Sequence, residues 1–420
     1  MAVARVALLE PLSDPEVEVD QTALVIGGGV SGMVAAKNLA EQGYHTHLIE
    51  KSDVLGGQAR NLYATWLGED VQKYLHGLVE DVQTHENINV HLNSELKAVD
   101  GFVGNFKSTV TSNGEEQVLE HGVAIIATGA SELKPDQYLY GEDSRVLTGL
   151  ELDRKFIDND PSLKETGSAA FIQCVGSRIP ERPYCSKVCC THSIKSALEL
   201  KKRNPETNIY VFYRDIRTYG LREDIYREAR SRGILFFRYN PDEAPEVTAN
   251  GERVSVKFKD PVLGRKLNVN ADILCLAAAI VAHEDRSLTR LFKVPVDDDG
   301  WLLEAHQKLR PVEFATEGVF LCGMGHYPKP IEESIAQAQA AAAKALTVLA
   351  KESIIVGGIV SHIVPELCSG CLGCLNVCPF GAITYNQEKN IAEVNQALCK
   401  GCGACAAACP SEAPVLMGFN

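Results

Sequence analysis

Two runs of cysteine carry the most explicit chemistry in this 420-residue chain. Cys368, Cys371, Cys374 and Cys378 follow the spacing C-x2-C-x2-C-x3-C, and Pro379 comes directly after them. Cys399, Cys402, Cys405 and Cys409 repeat that spacing, followed by Pro410. Thiolates at these intervals suit [4Fe–4S] clusters, three from one run and the fourth from the other. One cluster is then expected on Cys368, Cys371, Cys374 and Cys409, and the other on Cys399, Cys402, Cys405 and Cys378. Four further cysteines, Cys174, Cys185, Cys189 and Cys190, crowd into "QCVGSRIPERPYCSKVCC". Adjacent Cys189 and Cys190 are poorly placed to bond each other. Four thiolates at a strand end and a loop-to-helix junction can converge, which suits a third iron–sulfur cluster or zinc. A Cys185/Cys189 dithiol one helical turn apart and four inert core cysteines are the other readings.

A second kind of chemistry is written in glycine. Gly27, Gly29 and Gly32 form G-x-G-x-x-G between the apolar strand "ALVI" and a helix, and Glu50 ends the next strand. Such a turn brings backbone N–H groups and a helix N-terminus to a pyrophosphate, with the acid placed for ribose hydroxyls. This strand–turn–helix–strand–acid order predicts a dinucleotide site. Lys51, Gly56, Gly57 and Gln58 follow Glu50, "AIIATGA" supplies Thr128 and Gly129, and "FLCGMG" supplies Gly323 and Gly325. In this arrangement the chain resembles the glutathione- and thioredoxin-reductase-like flavoproteins, which implies FAD. Met324 departs from the acid expected after the late glycine. The corresponding second strand, "AAFIQ", runs into "CVGSR" without phosphate-cradling glycines, so no nicotinamide nucleotide site is expected there.

The elements that position these residues read as α/β, with two dinucleotide-type folds of the thioredoxin-reductase kind. A C-terminal two-cluster ferredoxin domain of α+β type follows. The expected organisation is a docking segment over 1–20, an FAD-binding domain over 21–166 and 283–352, an inserted domain over 167–282, and the ferredoxin-type domain over 353–420. Alanine-rich "IEESIAQAQAAAAKALTVLAKE" predicts a strong helix. Hydrophobic residues are 45% and charged residues 23%, ordinary for a packed globular protein. The net charge of −14 argues against nucleic acid as a partner and for a cytoplasmic protein. Cysteine clustering fits a reducing compartment better than structural disulfides. No signal pattern and no run long enough for a membrane span are present. Cys275 and Cys322 read as core, and His192 as a loop or capping residue.

Taken together, "ALVIGGGVSGMVAA", "FIQCVGSR", "PYCSKVCC", "GHYPKPIEESIAQAQAAAAKAL" and the double cysteine run resemble the A-subunit family of heterodisulfide reductase. The resemblance spans nearly the whole chain. It implies an oxidoreductase holding FAD and three [4Fe–4S] clusters, one of them on Cys174, Cys185, Cys189 and Cys190. It implies that Lys195 approaches the flavin N5 edge, with an acidic partner matched here to Glu151. It further implies electron bifurcation or confurcation, with a non-bifurcating relay and a stand-alone flavin disulfide or NAD(P)H oxidoreductase as rivals. The implied partners are heterodisulfide-reductase-like B and C subunits, free ferredoxin and a hydrogenase- or dehydrogenase-linked subunit for electron input. The implied assembly is built around a homodimer. Family members carry a further N-terminal cluster domain ahead of "ARVALLEPL", the segment with which this chain starts.

Overall fold

A computed structural model describes residues 16–355, 359–396 and 398–417; residues 1–15 of the expected docking segment lie outside them. The first unit is built on a five-stranded parallel sheet. Its strand order is 319–321, 123–126, 23–26, 46–49 and 88–91. The central strands Ala23–Ile26 and Val123–Ile126 are buried at every position. Covering on both faces requires such continuous apolar runs. The alanine-rich segment forms the helix Ile331–Leu349. Its Ala338, Ala341, Ala342 and Ala345 make a buried stripe at helical spacing. That stripe joins one core with Met33, Ala35, Ala36 and Leu39 of the helix Val30–Glu41. Small side chains let the two helices approach closely.

The second unit repeats the plan with strand order 146–148, 273–278, 168–175, 208–213 and 235–238, all parallel. The strand Val146–Thr148 and the helix Gly149–Ile157 belong here, because Leu152 and Phe156 pack into this unit's core. Both fall inside the range expected for the first unit, since neither bears a motif that marks the boundary. A two-stranded antiparallel ribbon, Ser131–Glu132 with Ile280–Val281, joins the units. Each unit also carries a three-stranded antiparallel sheet.

The C-terminal unit pairs Ser361–Ile363 with Pro414–Leu416 and Ile383–Asn386 with Ile391–Val394. Two five-residue helices, Gly373–Val377 and Ala404–Ala408, each start within a cysteine run. Its core is small and rich in cysteine: Cys374 and Cys405 are buried among Ile363, Ile383, Ala392 and Ala413. Among the described residues, no helix is long and apolar enough to cross a membrane.

Candidate functional site

The turn after Ala23–Ile26 folds as its glycines require. Gly27 has φ +112°, and a Cβ there would lie 2.4 Å from the Ala127 carbonyl oxygen. At Gly32 a Cβ would sit 1.8 Å from the Gly27 carbonyl oxygen, so the helix can rest on the turn only without a side chain. Gly29 differs. A Cβ there meets nothing within 4 Å, because this face of the turn opens into a cavity of about 680 Å³. The Val30–Glu41 helix starts directly after it. The Gly28 N–H donates to Glu50 Oε2 at 2.7 Å, and the Ser52 N–H and hydroxyl both donate to Oε1 at 2.8 Å, so the carboxylate is fixed at the cavity edge.

These observations give a direct prediction. Gly29→Ala should fold normally and bind FAD at least tenfold more weakly, because its methyl enters ligand space only. Gly32→Ala should lose soluble protein, because it drives a methyl into backbone. Equilibrium FAD binding and thermal melts of both variants check this. Equal FAD affinity in Gly29→Ala and the unsubstituted chain refutes it.

The cavity wall brings together Gly27, Gly29, Glu50, Lys51, Gly56, Gly57, Gln58, Thr128, Gly129 and Gly325. Gly32 and Gly323 stand behind it. Gly323 donates its N–H to Gln337 Oε1 at 3.0 Å, and its carbonyl accepts from Lys329 Nζ at 2.6 Å. The cradle fits a dinucleotide of FAD size: an open glycine face, a helix N-terminus and a ribose-side acid line one elongated space.

Lys329 is a wall residue that the motifs did not indicate. It is 3% exposed, and its ammonium lies 3.9 Å from the Tyr327 ring centroid. Burial brings it down to about 7, an effect that Cys322 below it opposes. Cys322 itself is fully buried, and burial pushes its thiol up to about 12. The signal in sequence was a lysine between two prolines just ahead of a helix.

The four-cysteine site adjoins the same cavity. Cys174 lies at the end of the strand Ser168–Val175, where the register with its neighbour shifts and φ turns to +63°. Cys189 and Cys190 open the helix Cys189–Arg203, and Cys185 sits in the loop before it. All four thiols are free, and Cys189 feels the other three. Burial and then the three neighbouring thiols hold Cys189 well above the ordinary thiol value. Burial takes Cys190 to about 11. Burial also raises Cys174, against the pull of Arg178, whose Nη1 is 3.9 Å from its sulfur. The Lys187 N–H points at Cys185 Sγ at 3.3 Å. Thiols packed like this ionise together only around a compensating positive centre, and the helix N-terminus adds to it. Cys189 reaches the cavity wall, as do Lys187, His192 and Lys195.

The placement matters. This crevice lies beyond the C-terminal ends of parallel strands whose order reverses about Ser168–Val175, where open α/β sheets bind their ligands. The loop of residues 176–188 that fills it is longer than the usual strand-to-helix connection.

Lys195 and Glu151 are not brought together. Glu151 is spent within its own helix start. Its Oε2 accepts the Thr148 N–H at 2.9 Å, and its Oε1 accepts from Lys134 Nζ at 2.8 Å and the Tyr140 hydroxyl at 2.6 Å. "TGLE" is a capping box, legible as T-x-x-E. Glu151 also lies outside the cavity wall, and Lys195 has no carboxylate partner among the described residues; its ammonium lies against Gly68. The local acid–base pair is instead His192 with Asp153. Nε2 is 3.0 Å from Oδ2, bent away from hydrogen-bond geometry, and the carboxylate is 4% exposed. Burial alone would lower His192, but Asp153 outweighs it and raises the imidazole. The expectation of a capping role for His192 is replaced by this contact.

In the C-terminal unit the fourth cysteine of each run lies beside the other run. Cys374 has its ionisation opposed by burial and then by Cys368 and by Cys409 of the other run. Cys378 lines one small cavity with Cys399, Cys402 and Cys405. Backbone N–H groups of Ser361, Ala382 and Ala392 point at the sulfurs of Cys399, Cys378 and Cys368 at 3.3, 3.3 and 3.4 Å. Donors aimed at sulfur favour the thiolate form that a cluster requires. Among the described residues, no three side chains close on a point as tightly as one metal ion demands; a cuboidal cluster spreads its thiolates around a larger cage.

Comparison with known proteins agrees with this layout. The family described as pyridine nucleotide-disulphide oxidoreductase matches residues 21–161, and the 4Fe-4S dicluster domain matches residues 361–410. The A subunit of the H(2):CoB-CoM heterodisulfide,ferredoxin reductase of Methanothermobacter marburgensis is 34% identical, over 94% of this chain and 74% of that protein. The iron-sulfur A 2 subunit of the CoB–CoM heterodisulfide reductase of Methanopyrus kandleri is 33% identical, over 91% of this chain and 73% of its own length. Among solved structures, Lactococcus lactis thioredoxin reductase aligns with a TM-score of 0.54 at 17% identity, over 78% of this chain and 99% of that one. The T. acidophilum enzyme aligns at 0.52 and 15%, over 79% and 98%. At these identities they share the fold.

Proposed function

This chain belongs to the A-subunit family of heterodisulfide reductase, a family of flavin- and iron–sulfur-containing oxidoreductases, and from there we propose that it distributes electrons within a heterodisulfide-reductase-like complex. In this reading the four-cysteine site holds a third [4Fe–4S] cluster beside the flavin, and electron pairs are split or merged between two branches. One branch leads through that cluster to heterodisulfide-reductase-like B and C subunits. The other leads through the C-terminal clusters to ferredoxin. A hydrogenase- or dehydrogenase-linked subunit delivers the electrons, and the chain works as a homodimer in the cytoplasm.

The observation that carries the reading is the convergence of Cys174, Cys185, Cys189 and Cys190 where a reductase of this fold would hold its second nucleotide, with Cys189 in the flavin cavity wall. Bound FAD supplies exchange of electrons both in pairs and singly. The chain supplies the setting. The Ile331–Leu349 helix directs its N-terminus at the cavity, and Lys329 and Lys195 both line its wall. Anaerobic redox titration of the loaded chain tests the splitting step. Strongly crossed one-electron flavin potentials are expected. A one-electron-reduced flavin persisting over a wide potential range defeats splitting and leaves a simple relay.

A further inference from the structure

Two carboxylates at the start of the Ile331–Leu349 helix are spent on the other unit. Glu333 takes Lys187 Nζ on Oε2 and the Tyr219 hydroxyl on Oε1, the latter at 2.8 Å. Glu332 Oε1 accepts from Arg222 Nη2 at 2.6 Å. Arg222 is 11% exposed, with its guanidinium 4.4 Å from the Tyr219 ring centroid and 5.6 Å from that of Trp66 in the first unit. The Lys187 ammonium lies 5.5 Å from Tyr219 and 5.6 Å from Tyr327. Acids at a helix N-terminus satisfy its dipole wherever they point. Here both point across the boundary, and the residue that Glu333 grips, Lys187, sits between Cys185 and Cys189.

The units also meet at the short Ser131–Glu132/Ile280–Val281 ribbon and at Tyr63, whose N–H donates to Asp153 Oδ2 at 2.9 Å and whose hydroxyl donates to Glu199 Oε1 at 3.2 Å; the Glu333 contact differs in reaching Lys187 within the cysteine loop. The far side of the cysteine loop is already fixed to its own unit. Ser186 Oγ accepts the Ile280 N–H at 2.9 Å, and the Tyr184 hydroxyl donates to the Ile280 carbonyl at 3.0 Å. We propose that Glu332 and Glu333 are positioning residues: by clamping Lys187, Tyr219 and Arg222 onto the first unit, they fix the separation between the four-cysteine site and the flavin cavity. Electron transfer between centres falls steeply with separation, so a loose boundary would unsettle the order in which electrons leave. The inference rests on the reading of Cys174, Cys185, Cys189 and Cys190 as a cluster site.

The test uses the full chain with its cofactors, prepared anaerobically, as unsubstituted protein, Glu333→Gln, Glu332→Gln/Glu333→Gln and Glu333→Asp. Iron and FAD content, amide hydrogen exchange over residues 179–189 and flavin emission are measured on each. The double variant is expected to keep iron and FAD. Its exchange in that segment should be at least tenfold faster and its flavin emission several-fold brighter, with Glu333→Asp close to the unsubstituted protein. Unchanged exchange and emission in a double variant that keeps its cofactors overturn the proposal. If the double variant loses them, Glu333→Gln decides by the same two measurements. Iron near eight instead of near twelve in the unsubstituted chain defeats the cluster reading itself, and the exchange comparison still decides whether the clamp exists.

Discussion

Cys189→Ser, purified without oxygen, should carry about eight irons per chain where the unsubstituted protein carries about twelve, with its FAD retained. The loss is expected because a serine hydroxyl is a far poorer iron ligand than the thiolate it replaces. FAD stays because Cys189 is one strip of a cavity made mostly by the first unit. Two companion variants separate this from general damage. Cys275→Ser lies in the buried strand Ile273–Ala278. It should keep all its iron and lose about 1–3 kcal/mol of stability, because a hydroxyl without a partner is costly there. Cys409→Ser should lose the cluster of Cys368, Cys371 and Cys374 while Cys189 keeps its own, because Cys409 faces the other run. Iron determination with visible absorption of the three proteins decides the matter. Full iron in Cys189→Ser would return the four cysteines to the inert reading.

What could be read from sequence was whatever a local spacing enforces. The first strand, its glycine turn and its helix were legible because Gly32 must pack on Gly27 within six residues and Gly27 takes a positive φ in the turn itself. The ferredoxin-type unit was legible for the same reason. The inter-unit features were not. Lys187 and Glu333 lie 146 positions apart, and nothing near either one announces the other. Strand Val146–Thr148 is three residues long and is defined by its neighbour Ile273–Ala278, far along the chain. Glu151 does not serve Lys195, because its own T-x-x-E context already offers it a nearer partner. A local capping motif outcompetes a distant charge because it costs no long-range ordering. Lys329 escapes notice for the opposite reason. A lysine reads as surface by default, and only the packing of Cys322, Tyr327 and Gly323 around it makes it a wall residue.

That burial gives Lys329 the second large effect. Free of FAD, the contribution of Lys329 to stability should grow as pH rises from about 7 to about 10. Folding holds the lysine near 7, below its ordinary 10.5. Between those values the unfolded chain binds a proton that the folded chain does not, so raising pH favours the fold. The stability is fully present above the ordinary value and is lost as pH falls through the folded one. Below about 7 the penalty of a buried ammonium is complete, with an upper limit of roughly 4–5 kcal/mol at about 1.4 kcal/mol per pH unit. Lys329→Met removes the charge at similar length and should flatten this slope, so the variant outlasts the unsubstituted chain in urea at pH 6 and converges with it near pH 10. With FAD bound the preference reverses. A reduced flavin carries added negative charge, and the ammonium on the cavity wall favours it, so Lys329→Met should lower the two-electron flavin potential by about 30–60 mV. Stability and potential thus pull in opposite directions at one residue, which is the expected mark of a charge kept for function rather than for folding. Parallel urea curves for the two proteins from pH 6 to 10 would show that Lys329 stays charged in the fold, and an unmoved potential would assign the flavin's tuning to Lys195.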